Sequence, residues 1–459
     1  MGRRHLIGAA PSTSGAPFTT FEDMSTDISD QRLHAVFIVG TRPEAIKMLP
    51  LIVAMRESAR FEPVVVSTGQ HAEMVASVLS IGDIRPDVTF DLPAGPRTLN
   101  ELFAFILTHL EDYLGDRFGP PVPPEEASYA TGYPAACFVH GDTTSAAASA
   151  LAAFHLHLPV VHVEAGLRTS NTLSPFPEEL NRQLISRIAA LHLAPTIRNK
   201  ANLMGEGIPY GRIFVTGNTA IDALHLAVSQ DDRFEDERLT DLDVPEPPRV
   251  VVVTAHRREN WGAPLERIAD AVAQCARAYP DVRFVVALHP NPAVAGILTS
   301  RLGDLENVTL IEAMKYIEFA RLLKLATLAI TDSGGIQEEA PALGTPVICV
   351  RESTERQEGV DAGTVELVGT STERIVASVR TLLDDPAERR RRSRTANPYG
   401  DGRASARIVR ALEHIVFNSE APTPFGPGFD RNEVLAAGGS GDPVEKGWVS
   451  TWPLPSEDG

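Results

Sequence analysis

Short apolar runs alternate along the chain with segments of helical period, in two successive series. Between the runs, apolar residues recur at helical spacing, as Ile46, Leu49 and Val53 do. The first series comprises AVFIVG (35–40), PVVVSTG (63–69), ACFVHG (136–141), PVVHVE (159–164), LHLAP (191–195) and IFVTG (213–217). The second comprises RVVVVTA (249–255), VRFVVALH (282–289), VTLIEA (308–313), LAITDS (328–333) and VICV (347–350). Such strands, separated by helices, predict an α/β fold of two Rossmann-like, doubly wound lobes with a central cleft.

Segments of different composition flank and interrupt these series. An acidic, Pro-rich stretch at 231–249 predicts a joint between the lobes, and a Pro/Gly-rich insert at 115–134 predicts a surface loop. The polar N-terminus predicts a flexible extension, and the Pro, Gly and Ser residues beyond Phe417 predict a tail without fixed structure. The predicted boundaries are 1–32 for the extension, 33–215 for the first lobe, 216–402 for the second lobe and 418–459 for the tail.

Composition narrows the function classes. The chain has 459 residues, of which 43% are hydrophobic, enough for the cores of two large domains. Its 42 basic and 60 acidic side chains give a net charge of −18, which disfavours binding to nucleic acid. The basic run 389–394 follows several acidic residues and predicts a solvated helix face.

Cysteine and histidine usage predicts neither a cofactor nor a metal. Cys137, Cys275 and Cys349 form no CxxC pair and lie among apolar residues, as buried thiols in a reducing cytosol do. His155 and His162 fall on different predicted elements without tetrahedral spacing. No apolar run approaches 18 residues, so we expect no contact with a membrane and a cytoplasmic location.

Two strand ends carry patterns suited to an anion. Gly40 follows the first strand, with Arg42 and Lys47 near the start of a helix. The DSGGIQEE segment ends a strand and opens a helix, where Ser333 could cap and the following two glycines would let a diphosphate approach free N–H groups. Glu339 lies nearly two turns further, where its carboxylate could accept hydrogen bonds from ribose hydroxyls.

Three carboxylates, Asp142, Glu164 and Glu178, stand at strand ends or turns. Carboxylates that converge on a dry cleft can have their pKa values pushed apart, giving one acid and one base. Each alone could instead cap a helix, as Asp142 before Thr143 could. The polar segment 256–260 closes the first strand of the second lobe and is hard to explain by packing.

These residues lie in motifs that resemble a known family. The motifs GTRPEAIKMLP, TGQH, VHGDTTS, HVEAGLRT, PFPEELNR, AHRREN, DSGGIQEEAPALGTPV and RESTER occur in this order over roughly residues 34–417, as in non-hydrolysing UDP-N-acetylglucosamine 2-epimerases. The resemblance implies a glycosyltransferase-B architecture, with a C-terminal helix at about 403–417 returning to the first lobe. Four residues depart from the family pattern: Glu73, Met314, Gln357 and Ala396.

The resemblance also implies an isomerase that eliminates UDP and adds it back through a 2-acetamidoglucal. Its implied catalytic residues are Asp142, Glu164, Glu178 and His256. Its implied substrate contacts are Arg42, Lys47, Phe319, Ser333, Gly334, Gly335, Glu339 and Arg356. A second UDP-N-acetylglucosamine would act as an activator at Gln70, His71, Arg97, Arg257 and His289. The resemblance further implies a homodimer.

Two alternatives stay open at this point. A glycosyltransferase of the same fold would pass the sugar of a UDP-sugar to an acceptor, and an epimerase could act on a related UDP-2,3-diacetamido sugar. The sequence does not decide which carboxylate is the base and which the acid. A non-catalytic nucleotide-sugar sensor is disfavoured by the intact carboxylates.

Overall fold

The structure is a computed structural model that describes residues 32–121, 132–169, 171–230, 233–312 and 314–437. The N-terminal extension except Arg32, residues 122–131 of the 115–134 insert and the tail after residue 437 lie outside the described residues. Gly115 belongs to the last turn of a helix that ends at Phe118, so the insert begins later than predicted.

The first lobe is a seven-stranded parallel sheet in the order β3-β2-β1-β4-β5-β6-β7. Its strands are β1 (Leu33–Val39), β2 (Phe61–Ser67), β3 (Val88–Thr89), β4 (Ala136–His140), β5 (Val160–Val163), β6 (Leu191–Ala194) and β7 (Ile213–Val215). Its helices are α1 (Arg42–Glu57), α2 (Ala72–Leu79), α3 (Leu99–Phe118), α4 (Thr144–His155), α5 (Glu178–Ile188) and α6 (Ile197–Gly205). Buried apolar clusters cover both faces of this sheet, as its uniformly apolar strands predict.

The second lobe repeats the same winding in a six-stranded parallel sheet, in the order β10-β9-β8-β11-β12-β13. Its strands are β8 (Arg249–Thr254), β9 (Val282–Ala287), β10 (Val308–Ile311), β11 (Leu328–Thr331), β12 (Val347–Cys349) and β13 (Val365–Leu367). Its helices are α8 (Ala263–Ala278), α9 (Pro292–Leu302), α10 (Tyr316–Leu325), α11 (Gly334–Ala342), α12 (Gln357–Ala362), α13 (Thr372–Asp384) and α14 (Pro386–Ser393), with α7 (Thr219–Ser229) at the junction. The predicted class, two doubly wound α/β lobes, is confirmed.

The C-terminal part of the chain returns to the first lobe. Helix α15 (Ala404–Phe417) packs on α1, and its Ile408 and Leu412 belong to the first-lobe core. The predicted lack of structure beyond Phe417 is wrong for 418–437, because this segment also packs there and ends in α16 (Arg431–Ala437). The composition of the segment is typical of loops, but Val434 and Leu435 are buried in the same core.

The predicted joint at 231–249 is likewise packed where it is described. Residues 237–242 form a short 3-10 helix, and Phe234, Leu239 and Leu242 are buried against the second lobe. The chain therefore changes lobes earlier, between β7 and α7, and crosses back near Tyr399.

Candidate active site

A cavity of about 760 Å³ lies between the lobes, beyond the carboxyl ends of both sheets. Parallel α/β sheets bind their ligands at this edge, because the loops that follow the strands converge there. Its wall carries the cationic side chains Lys47, Arg168, Arg182, Arg198, Arg257, Arg351 and Arg356 and the carboxylates Glu44, Asp142, Glu164, Glu338, Glu355 and Glu358. Such a lining suits a ligand that is both anionic and rich in hydroxyl groups.

Glu164 follows β5 directly and has a left-handed backbone conformation, with φ of 62°. Non-glycine residues rarely adopt this conformation, and where they do the surroundings must hold them in place. One carboxylate oxygen contacts the Lys47 ammonium, and the other lies 3.9 Å from His140 Nε2. Burial raises the pKa of Glu164, but Lys47, His140 and Arg356 together lower it to about 2, so this carboxylate is ionised at neutral pH. Burial also lowers the pKa of His140 to about 4, which leaves its imidazole neutral.

Asp142 comes from the loop after β4 and faces the same cavity. Its carboxylate accepts hydrogen bonds from Arg182, with Nε at 2.8 Å, and its own carbonyl accepts one from Asn181. Burial raises the pKa of Asp142, although Arg182 opposes that shift. Asp142 does not cap α4, because the side chain of Thr143 accepts the hydrogen bond from Ala146 N.

The predicted anion site at the start of α1 is filled by the protein itself. The Glu44 carboxylate accepts hydrogen bonds from the backbone N–H groups of Gly40 (3.0 Å) and Thr41 (2.6 Å) and from the Thr143 hydroxyl (2.6 Å). These N–H groups are therefore not free for a ligand, and the expectation of an open helix start is wrong here. Lys47 reaches the cavity, whereas Arg42 does not line it.

Arg356 lines the cavity from the second lobe and lies against the start of α11. Arg356 donates to Glu338 (2.8 Å) and Glu355 (2.7 Å), and a Cβ added at Gly334 would stand only 3.1 Å from its Cζ. The missing side chain at Gly334 thus lets the guanidinium lie against the helix start. Ser333 occupies the N-cap position, but its side chain makes no capping hydrogen bond.

Asp332 organises the turn that carries His256. The buried Asp332 carboxylate accepts hydrogen bonds from the backbone N–H groups of His256 and Arg257 and from the Asn260 side chain, each at 2.9 Å for Oδ2. Burial lowers the pKa of His256, and its ring lies 5.8 Å from that of His289. Three residues of the polar AHRREN segment, His256, Arg257 and Asn260, are therefore held in place by the buried Asp332 carboxylate.

Five of the predicted site residues line the cavity: Lys47, Asp142, Glu164, Arg257 and Arg356. The others stand away from its wall: Arg42, Gln70, His71, Arg97, Glu178, His256, His289, Phe319, Ser333, Gly334, Gly335 and Glu339.

Four of these outlying side chains have surroundings that can be stated briefly. Phe319 packs against the second-lobe core, and Gln70 accepts a hydrogen bond from Ser145. The guanidinium of Arg97 folds onto the carbonyl of Pro93 in its own loop. Glu178 begins α5, and among the described residues nothing donates a hydrogen bond to its buried Oε2.

Sequence reasoning missed several residues of the wall. Arg182 stands in the PFPEELNR motif and Tyr399 shortly after Ala396, but nothing local indicates that Arg182 binds Asp142 from 40 positions away. Arg198 was missed as well. It faces the cavity from the lobe opposite to the predicted Arg257, and within the described residues neither guanidinium forms an ion pair. Asn218 and Glu338, which bond each other across the lobes, were also missed.

The described residues contain no cluster of three His, Cys, Asp or Glu side chains arranged to hold a metal ion. None of their helices combines the length and hydropathy needed to cross a bilayer.

The fold defines a two-lobed α/β protein of the glycosyltransferase-B type, with its ligand site in the cleft. The family model described as UDP-N-acetylglucosamine 2-epimerase matches residues 53–413. The chain therefore belongs to this family, which confirms the resemblance drawn from the motifs. It is 45% identical to the UDP-N-acetylglucosamine 2-epimerase of Salmonella typhimurium over 386 residues, which are 83% of this chain and 98% of that one.

Solved structures agree with this membership. A putative UDP-N-acetylglucosamine 2-epimerase from Listeria monocytogenes superposes with a TM-score of 0.77 at 40% identity, over 86% of this chain and all of that one. The enzyme from Neisseria meningitidis, solved bound to UDP-GlcNAc, gives 0.70 at 39% identity, over 83% of this chain and 99% of that one.

Proposed function

We propose that this protein is an isomerase that interconverts UDP-N-acetylglucosamine and UDP-N-acetylmannosamine by inverting C2 of the sugar. One observation carries the proposal: Asp142 and Glu164 of the first lobe face the same cavity as Arg356 of the second. A site of this kind can hold a diphosphate at one end and place carboxylates around one sugar ring at the other.

The chemistry requires proton transfer at a carbon with no adjacent carbonyl. A base removes the C2 proton, the C1–C2 double bond forms, and the bond from C1 to the UDP oxygen breaks. The resulting 2-acetamidoglucal is then protonated at C2 on its opposite face while UDP adds back to C1. Positioned proton transfer contributes ~10²–10⁴-fold, so the site must also stabilise the charge that develops on UDP and on the ring.

Different environments suggest different roles for the two carboxylates. Glu164 stays ionised beside Lys47, which suits it to oppose positive charge at the anomeric carbon. Asp142, whose pKa is raised by burial, holds a proton more readily and is better suited to proton transfer. Glu178 begins α5 outside the cavity wall, with its Oε2 buried and without a hydrogen-bond donor among the described residues; following the family resemblance, we propose it for proton transfer on the opposite face.

Arginine and lysine side chains would bind the diphosphate. Arg356 lies against the start of α11, and the positive end of a helix favours an anion there. Arg198, whose guanidinium forms no ion pair within the described residues, approaches from the first lobe. Guanidinium groups bind phosphate bidentately, so we propose that the enzyme needs no divalent cation.

A proton-NMR time course tests the proposal directly. UDP-N-acetylglucosamine is incubated with the enzyme in deuterated buffer, with and without a chelator. We expect signals of UDP-N-acetylmannosamine, deuterium at C2 and no effect of the chelator. A spectrum that changes only when an acceptor is supplied would favour a glycosyltransferase, and activity that requires added Mg²⁺ or Mn²⁺ would contradict the metal-free site.

The activator site is a separate proposal. Of its five predicted residues only Arg257 lines the cavity, while Glu73 is exposed on α2 and would bring a negative charge towards a second diphosphate. We propose that substrate still acts as an activator through Arg257. The initial rate should then be sigmoidal in UDP-N-acetylglucosamine and hyperbolic in Arg257→Ala, with a coupling of ~1–3 kcal/mol. A hyperbolic rate in the wild type would contradict the activator site.

Two further features of the enzyme are proposals as well. Its three cysteines are buried free thiols, which supports a reducing compartment, and we propose the cytoplasm. A homodimer stays a prediction from the family resemblance.

A further inference from the structure

Asn218 lies where the chain first crosses from one lobe to the other. It stands between β7 and α7, is 3% exposed, and caps α7 by accepting a hydrogen bond from Ala220 N (3.0 Å) at its Oδ1. Its backbone N–H donates to the carbonyl of Tyr399 (2.7 Å), which belongs to the second crossing. The residue therefore touches both connections between the lobes.

The side-chain amide of Asn218 also bonds one carboxylate from each lobe. Its Nδ2 donates to Glu338 Oε2 of α11 at 2.7 Å and to Glu164 Oε1 at 3.3 Å. Both partners can only accept while ionised, and Oδ1 accepts the backbone N–H of Ala220, so the orientation of the amide is unambiguous. A neutral donor between two carboxylates lets both stay charged at close quarters.

A cation also binds each carboxylate, at the same oxygen as Asn218 in Glu164 and at the other oxygen in Glu338. Lys47 contacts Glu164, and Arg356 donates to Glu338 Oε1 at 2.8 Å. The five side chains form one continuous polar chain, from Lys47 through Glu164, Asn218 and Glu338 to Arg356. This chain runs from the proposed sugar end of the cavity to its proposed diphosphate end.

We propose that Asn218 is a positioning residue, which fixes Glu164 of the first lobe relative to Arg356 of the second. The inference rests on the proposed function and adds to it an explicit link between the diphosphate site and the carboxylate that faces the sugar. A helix cap alone would require only the Oδ1 bond to Ala220. The two bonds to Glu164 and Glu338 are what the proposal depends on.

Two substitutions separate the bridge from the cap. Asn218→Ser keeps a good N-cap residue but is too short to span both carboxylates. Asn218→Asp keeps the size and the cap but replaces the donor by a third carboxylate among Glu164 and Glu338, with Lys47 and Arg356 beyond them. Turnover is followed by NMR, UDP affinity by calorimetry and folding by thermal melting.

We expect turnover to fall by ~10-fold or more in Asn218→Ser and further in Asn218→Asp, because small misplacements in an active site are costly. In Asn218→Ser the affinity for UDP and the melting temperature should stay close to wild type, whereas the buried charge of Asn218→Asp should lower its melting temperature. In Asn218→Asp the acid limb of the kcat profile should move to higher pH, since a like charge disfavours ionisation of its neighbours.

Asn307→Ser is the matched control. Asn307 donates its amide to the carbonyls of Ala276, Tyr279 and Val282 in the second lobe, away from the cavity wall. Its loss should lower the melting temperature and leave turnover of the folded enzyme unchanged. A lowered melting temperature with unchanged turnover is what the loss of a purely structural asparagine should produce.

Three results would contradict the inference. Wild-type turnover in Asn218→Ser would leave Asn218 as a helix cap, and an unmoved acid limb in Asn218→Asp would show that it does not act on the carboxylates. Parallel loss of UDP affinity, melting temperature and turnover in Asn218→Ser would assign it a structural role. Wild-type enzyme is measured in the same assay, so an inactive wild type contradicts the proposed function instead.

Discussion

At the scale of single residues, neighbouring carboxylates of this cleft differ because their partners differ. Glu164 is buried but contacts Lys47, and its pKa falls to about 2. Asp142 is also largely shielded, yet the effect of burial exceeds that of Arg182 and its pKa rises. Glu339 lies beside Glu338, and burial together with that neighbour raises its pKa to about 8. Local charge therefore assigns distinct protonation states to residues of the same chemical type.

The proposed roles of the carboxylates predict a uniform loss of turnover. Asp142→Asn, Glu164→Gln and Glu178→Gln should each lower kcat by at least ~10²-fold, as loss of a proton-transfer or charge-stabilising group does. Steady-state rates would be measured beside circular dichroism, which should show an intact fold. Glu111→Gln, on the exposed face of α3, is the control and should be fully active. Near-normal turnover in a folded variant would remove that residue from the catalytic set.

The raised pKa of Glu339 predicts a pH-dependent effect on stability. The folded protein keeps a proton that the unfolded chain releases above about pH 4.3, so stability is lost as pH rises from there through about 8. The side chain of Glu339→Gln cannot ionise. The melting temperature of this variant minus that of wild type should therefore increase between pH 5 and pH 9.

Thermal melts at several pH values would test this. The matched control is Glu373→Gln, because Glu373 is exposed and its pKa is lowered by a hydrogen bond from Ser371. Its difference from wild type should not grow as pH rises. A Glu339→Gln difference that is the same at every pH would show that Glu339 titrates normally.

At the scale of elements, the start of α11 depends on a side chain being absent. Ala at position 334 would put a Cβ 3.1 Å from Arg356 Cζ, so the guanidinium would have to shift by a few tenths of an ångström from the helix start. We expect Gly334→Ala to weaken UDP binding by ~10-fold or more, in line with the loss of a charged hydrogen bond. Calorimetric titration with UDP measures this directly.

Gly296→Ala, within α9, is the control for the element-scale prediction. A Cβ there meets no atom within 4 Å, and alanine favours a helix interior over glycine. This variant should bind UDP normally and be no less stable than wild type. Unchanged UDP affinity in Gly334→Ala would separate Arg356 from the diphosphate site.

Elements with a strong local signal were predictable, and those defined by distant contacts were not. The longer apolar strands appear where the sequence places them, because burial on both faces requires continuous apolar runs. Strand β3 was missed because it has only two residues, and β13 because Glu366 interrupts its three residues, so neither forms an apolar run. The carboxylates of the site were predicted from their place after strands, but the partners that set their charge are far away in sequence. Asn218 and Glu338, for example, are 120 positions apart.

At the scale of the whole molecule, the segment 419–437 protects the edge of the first sheet. Strand β7 is an edge strand of that sheet. Its Val215 N–H donates to the carbonyl of Pro427 (3.1 Å), so the segment occupies a position where a strand of another chain could otherwise pair with β7. The buried Lys200 ammonium donates to the carbonyls of Ile213 (2.7 Å) and Gly428 (2.9 Å).

The same segment reaches both the core and the lobe junction. Phe429 packs on Phe214 with ring centroids 5.2 Å apart. Phe425 lies under the Arg407 guanidinium, which donates to Thr216 O and to Asp401 at the two crossings between the lobes. The segment therefore covers the edge of the first sheet and contacts the chain at the crossings between the lobes.

These contacts predict that truncation after Asn418 destabilises the first lobe and exposes the edge strand β7 to pairing with another chain. Each apolar side chain that loses its burial contributes on the order of 1.5–3 kcal/mol, so the melting temperature should fall by several degrees. Light scattering should also show self-association, because β7 would present unpaired N–H and C=O groups. Truncation after Ala437 is the control and should melt like the full chain, since the contacts described here lie before that point. A shorter protein that melts like wild type and stays monodisperse would show that the segment rests on the sheet without stabilising it.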